Sequence, residues 1–134
     1  MTASEFLNII AGCDSFLSSN AYVDTLVYAV ADIPKDYEIR KSNAARLLHI
    51  YIRDVLGIED ISDPSILSMA YELKDIYDCR KCVNDIAQVY VRSLMTEEND
   101  IFVSQNIKMF GTGKILTLEE AIETRNRIEN LRVN

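Results

Sequence analysis

Lys41-Ser42-Asn43-Ala44-Ala45-Arg46-Leu47-Leu48-His49-Ile50-Tyr51-Ile52-Arg53-Asp54-Val55-Leu56-Gly57 is the stretch on which the fold turns. After the polar Lys41-Ser42-Asn43, the residues Ala44, Leu48, Tyr51, Ile52 and Val55 recur at the spacing of one helical face. Leu47, Ile50 and Leu56 widen that stripe, which predicts a helix buried on more than one side. Gly57 closes it, since glycine is the usual residue just past a helix end. His49, between Leu48 and Ile50, reads as a half-buried helical histidine rather than a catalytic base.

Outward from this helix the same period recurs. Towards the N-terminus, a first helix spans Thr2 to Ala11, with Thr2 as cap, Glu5 three residues on, and Phe6, Ile9 and Ile10 on one face. A second spans Ser19 to Ala31, with Tyr22, Val23, Leu26, Val27 and Val30 inward and Pro34 as its stop. Towards the C-terminus, Asp63-Pro64 opens a fourth helix as N-cap and first-turn proline, with Leu67, Ala70, Tyr71 and Leu73 within one broad face. A fifth runs from Asp78 to Met95, with Cys82, Val83, Ile86, Val89, Tyr90 and Leu94 inward. A sixth starts at Thr117, with Glu120 at the capping-box position and Leu118, Ala121, Ile122, Ile128 and Leu131 on its buried side.

These spans cover about two-thirds of the 134 residues, double the usual helical share. The expected fold is all-α, a single domain of about six helices. No Asn-Gly or Asp-Gly turn joins alternating runs, so no hairpin is predicted. The segment from Thr96 to Leu116 is the exception. A loop of that length inside a compact domain is uncommon, and Phe102 and Phe110 are expected to pin it to the core.

The chain carries 14 basic and 21 acidic residues, a net charge of −7, and 49% apolar residues. That balance argues against nucleic acid as a partner, because such binding rests on Lys and Arg neutralising phosphates. No run approaches the ~18 apolar residues that a membrane span needs, so no insertion is expected. Met1-Thr2-Ala3-Ser4-Glu5-Phe6 lacks the basic and apolar regions of a signal peptide. The sequence as given therefore points to the cytoplasm, or to the cell surface if a leader has been removed.

No catalytic constellation emerges. Gly111-Thr112-Gly113-Lys114 lacks the first glycine and the Ser/Thr of a phosphate loop, since Lys108 and Ile115 hold those positions. Glu97, Glu98, Asp100 and the Glu119-Glu120-Glu123 cluster read as solvated acids. The three cysteines are Cys13, Cys79 and Cys82, an odd count that argues against a secreted disulfide framework. Cys79-Arg80-Lys81-Cys82 has the CxxC spacing of redox and metal sites. No strand precedes Cys79, and adding Cys13 and His49 gives no usual zinc spacing. Cys82 is thus expected to be a small core residue and Cys79 to flank a helix start. A metal or thiol protein using both is the remaining alternative. No cofactor and no metal ligands are assigned.

The helix starts at Met1-Thr2-Ala3-Ser4-Glu5-Phe6, Ile39-Arg40-Lys41-Ser42-Asn43-Ala44 and Leu116-Thr117-Leu118-Glu119-Glu120-Ala121 look alike. Each has an apolar residue, a short polar stretch and an apolar helix. The chain thus reads as a lead helix, 2–11, followed by helix–loop–helix units at 19–57 and 63–131 within one domain over 1–134. These starts resemble the Thr-Arg-Ala-Glu-Phe signature of S-layer homology domains. The stretch from Asp75 to Ile128 follows the family's order: an opening acid, a helix ending at Tyr90-Val91-Arg92-Ser93-Leu94-Met95, Phe102 and Gly113 in the loop, then the signature helix.

The resemblance implies an all-helical, non-catalytic module that grips an acidic cell-wall polysaccharide. At the family's anion-contacting arginine this chain has Ala3, Lys41 and Leu118, so only the second copy keeps a cation, with Arg40 beside it. The family's tryptophan is missing, as the chain has none. The implied ligand-binding residues are Arg40 and Lys41 at the third helix and Thr117 and Glu120 at the sixth. There a helix N-terminus and a cation would meet an anion. The alternative is an intracellular protein–protein module of the same fold with no glycan site, including self-association into a homo-oligomer through an exposed apolar face.

Overall fold

Three segments that precede helices lie side by side. The computed structural model describes residues 1–12, 33–34, 36–98 and 107–133. Within these, Ile39 donates its N–H to Met1 at 2.8 Å, and Leu116 donates to Ile39 at 2.9 Å. Thr2 and Glu38, and Arg40 and Ile115, form antiparallel bridges. The 38–40 segment is therefore clasped between 1–2 and 115–116. From this junction run α1 (Ala3–Ala11), α2 (Lys41–Ile50, prolonged by a π-turn over Tyr51–Val55) and α5 (Leu118–Val133). Between α2 and α5 the chain forms α3 (Pro64–Leu67) and α4 (Val83–Val91).

The described residues are mostly helical and contain five α-helices and no strand. The predicted second helix and the pinning role of Phe102 fall outside them. α1 packs on α5 and α2, and α2 packs on α4. Phe6, Leu7, Ile10, Leu47, Leu48, Tyr51, Ile52, Ile86, Val89, Phe110 and Ile128 meet in the core. Each such burial is worth roughly 1.5–3 kcal/mol against exposure. No helix among the described residues is long and apolar enough to cross a membrane.

Several expected boundaries shift for identifiable reasons. Helix α2 begins at Lys41 and ends in a π-turn, where Leu56 bonds back to Tyr51 at 3.1 Å; Gly57, at φ +73°, then turns the chain away. The fourth helix opens as expected, with Asp63 accepting from the Ser65 N–H at 2.9 Å, but it soon breaks. After a 3-10 turn at Ala70–Glu72, Leu73 turns extended to bridge Lys108, and Tyr71, expected inward, is exposed. The fifth begins as 3-10 turns at Ile76–Asp78 and Arg80–Cys82 and becomes α-helical only at Val83. It stops at Val91 because Ser93 turns left-handed, at φ 60°, so that Leu94 bonds back to Val89 at 3.0 Å. Leu118, the first residue of α5, faces solvent rather than the core.

Cys79 and Cys82 are joined by a disulfide across the turn that leads into α4. Cys82 lies in the core as its position in the sequence predicts, but the two cysteines are bonded to each other rather than separate. A sulfur held in a disulfide is no thiolate ligand, so the metal alternative loses both cysteines in this oxidised form.

Candidate functional site

The residues singled out from sequence cluster at the junction of the three helix starts, and most are occupied by the protein itself. Lys41 is only 4% exposed. Its ammonium donates to the carbonyls of Thr96 and Phe110, both at 2.7 Å, and to Glu98 Oε1 at 3.2 Å. It also lies 4.4 Å from the centre of the Phe110 ring. An ammonium has three N–H donors, and three acceptors take them. Arg40 is exposed and donates from Nη1 to the Gly113 carbonyl.

Thr117 and Glu120 form a reciprocal capping box. The Glu120 N–H reaches Thr117 Oγ1 at 3.2 Å, and the Thr117 N–H reaches Glu120 Oε1 at 3.1 Å. Thr2 and Glu5 do the same for α1, at 3.1 and 3.3 Å. The second helix start has no such pair, because its N-cap is Arg40. Its first N–H groups go instead to the 112–114 loop: Lys41 to Lys114 at 2.8 Å and Ser42 to Thr112 at 3.1 Å. All three helix N-termini therefore spend donors on the chain, which leaves less for an external anion.

Of the four residues, Lys41 and Glu120 line one hollow, with Leu116, Glu123, Thr124 and Arg127. It measures about 30 Å³, room for one or two waters. A sugar-sized ligand needs roughly ten times that volume. The larger groove beside it, about 320 Å³, is lined by Asp75, Asp78, Glu98, Met109, Thr112 and Lys114. Three carboxylates there oppose an acidic ligand.

Asp75 organises this groove. It is buried, and its carboxylate accepts from the N–H groups of Phe110 and Gly111 at 2.7 Å and Thr112 at 3.0 Å. Burial alone would raise its pKa, but these three bonds outweigh burial and hold it below the usual carboxylate value. Glu98 behaves alike: burial pushes it up, while its bond to Lys114 at 2.8 Å and the nearby Lys41 bring it down. Gly111 is needed here, since at φ +87° a Cβ would stand 2.6 Å from Glu98 Oε1.

His49 is more deeply buried than its sequence context implies, at 2% exposure, and is clamped on both sides. Nδ1 lies 2.7 Å from Asp85 and Nε2 lies 2.7 Å from Asp60. Burial lowers its pKa, but the two carboxylates outweigh burial and raise it. Two carboxylates, one at each ring nitrogen, favour the protonated ring, and neither nitrogen is open to a substrate. Asp60 and Asp85 come from a loop and another helix, and only Asn84 and Gln88, which bind that loop, hint at the pairing. No family model, curated protein or solved structure was found to match this chain.

Proposed function

We propose that the chain is a non-catalytic interaction module of S-layer-homology-like architecture whose ligand is a protein surface. The architectural part draws on the three similar helix starts meeting at one junction, two of them with the same Thr–Glu capping box. The observation that carries the partner class is a run of exposed large apolar side chains: Ile66, Met69, Tyr71 and Tyr77. Ile107, also exposed, belongs with them, because Lys108 bridges Leu73 and accepts from the Lys74 N–H at 2.8 Å. Single exposed apolar residues are ordinary, but several on one short segment are not. Methionine and tyrosine are enriched where proteins meet, and Glu72 and Lys108 beside them supply a polar rim.

A wall polysaccharide is the second reading, and it draws on Arg40 and Lys114, exposed cations at the junction. The saturated Lys41 ammonium and the small hollow beside it weigh against that reading. The test uses the full chain immobilised beside a Met69→Lys/Tyr71→Ser double variant. A discrete protein retained by the first and lost from the second, at unchanged helicity, is the expected result. Retention on purified wall polymer that disappears in Arg40→Ala would transfer the assignment to the polysaccharide. A chain that retains neither refutes both readings.

A further inference from the structure

We infer that Cys79 and Cys82 form a thiol–disulfide exchange centre that reacts with low-molecular-weight thiols through Cys79. Four observations lead there. The bond closes a ring across only three positions of sequence, and loop-closure stabilisation is smallest for such short rings, so it is a weak structural staple. The two sulfurs differ in access: Cys79 is partly exposed, whereas Cys82 is fully buried. The pair sits at the start of helical structure, with the 3-10 turn Arg80–Cys82 running directly into α4, so peptide dipoles favour a thiolate there. The two intervening residues, Arg80 and Lys81, are both cations, which favour the same charge against the nearby carboxylate of Asp78.

The chemistry balances with an external thiol as reductant. A thiolate RS⁻ attacks Cys79 Sγ, the Cys79–Cys82 bond breaks, and Cys82 Sγ leaves and takes a proton. Cys79 is left as a mixed disulfide with R. A second RSH attacks the outer sulfur, releasing RSSR and the Cys79 thiol. In reverse, the Cys82 thiolate resolves the mixed disulfide and expels RSH, restoring the bond. Exposure assigns the attacked sulfur to Cys79 and the resolving one to Cys82.

The test uses the full chain with Cys13→Ser, which leaves only this pair. The oxidised protein is incubated with reduced glutathione, quenched with excess N-ethylmaleimide, unfolded in urea so that the buried Cys82 is labelled too, and weighed by mass spectrometry. Two labels are expected, with helicity unchanged before the quench, and none when the reduced protein is treated with glutathione disulfide before the quench. The native rate should lie within about tenfold of the rate in urea. A larger gap means that the bond opens only on unfolding and overturns the proposal, as does failure to re-oxidise. A second arm replaces each partner singly. With glutathione disulfide, Cys82→Ala should form an adduct at Cys79, while Cys79→Ser should leave native Cys82 unmodified. Equal modification of the two overturns the assignment; if Cys82→Ala does not fold, the Cys79→Ser result and the two-label kinetics still decide.

Discussion

Replacing Lys41 by methionine separates a buried structural ammonium from a ligand-gripping one. Methionine keeps an unbranched apolar stem of similar length over the Phe110 ring but removes three hydrogen bonds. The Phe110 carbonyl is left buried without that donor, at a cost of about 1–3 kcal/mol. The Thr96 carbonyl is partly buried and should lose about 0.5–1.5 kcal/mol. Glu98 keeps Lys114 at 2.8 Å, so its share is small. The lost cation–π contact is largely offset by the easier burial of a thioether. The sum is a destabilisation of about 2–4 kcal/mol, read as a fall of between about 1 and 3 M in the urea midpoint of far-UV circular dichroism. An exposed binding lysine would give a change within about 0.5 kcal/mol. A value in that range, at unchanged m, would refute the buried network around Lys41 and return this residue to the candidate ligand site.

Three further outcomes follow from the same geometry. Because the folded His49 pKa is raised, the clamp's contribution is complete below the unfolded value of about 6.5 and is lost as pH rises through the folded value. Melting temperature should fall across that window in the native chain and stay flatter in His49→Gln; a histidine that titrates by NMR below the unfolded value would contradict this. Ser93→Gly removes a Cβ from the left-handed position that ends α4, so chemical denaturation should show a gain of roughly 0.5–1 kcal/mol. Gly111→Ala should cost well over 1 kcal/mol, because strain adds to the clash with Glu98, whereas Gly57→Ala, with φ +73° and open space around it, should cost only about 1 kcal/mol.

The helical character was legible because it depends on local signals. The apolar stripe of 44–56, the Thr–Glu pairs and Asp63-Pro64 each fix a face or a boundary without reference to distant chain. The break after Leu67 was not legible, since Leu73 leaves the helix to reach Lys108, a partner 35 residues away that periodicity does not encode. The disulfide is not read from the sequence, because the odd cysteine count argues against a secreted framework and no strand precedes Cys79, although CxxC spacing alone permits it. The clamp on His49 needed two acids from separate elements, so the sequence could rank His49 as non-catalytic but could not explain why.

The candidate site shows how a repeated motif can be turned inward. All three helix starts must satisfy first-turn N–H groups that have no intrahelical acceptor. Two of them do so with a Thr–Glu box. The middle one has Arg40 at the cap position, with no side-chain acceptor, and borrows carbonyls from Thr112 and Lys114. That loop must therefore be held close, and two buried charges hold it: the Asp75 carboxylate takes the N–H groups of Phe110, Gly111 and Thr112, and the Lys41 ammonium takes the Phe110 carbonyl. The loop's donors and acceptors are thus met by charges of opposite sign from two different segments. A lysine engaged this way holds the loop that caps its own helix, so its burial at that helix start is accounted for without any external anion.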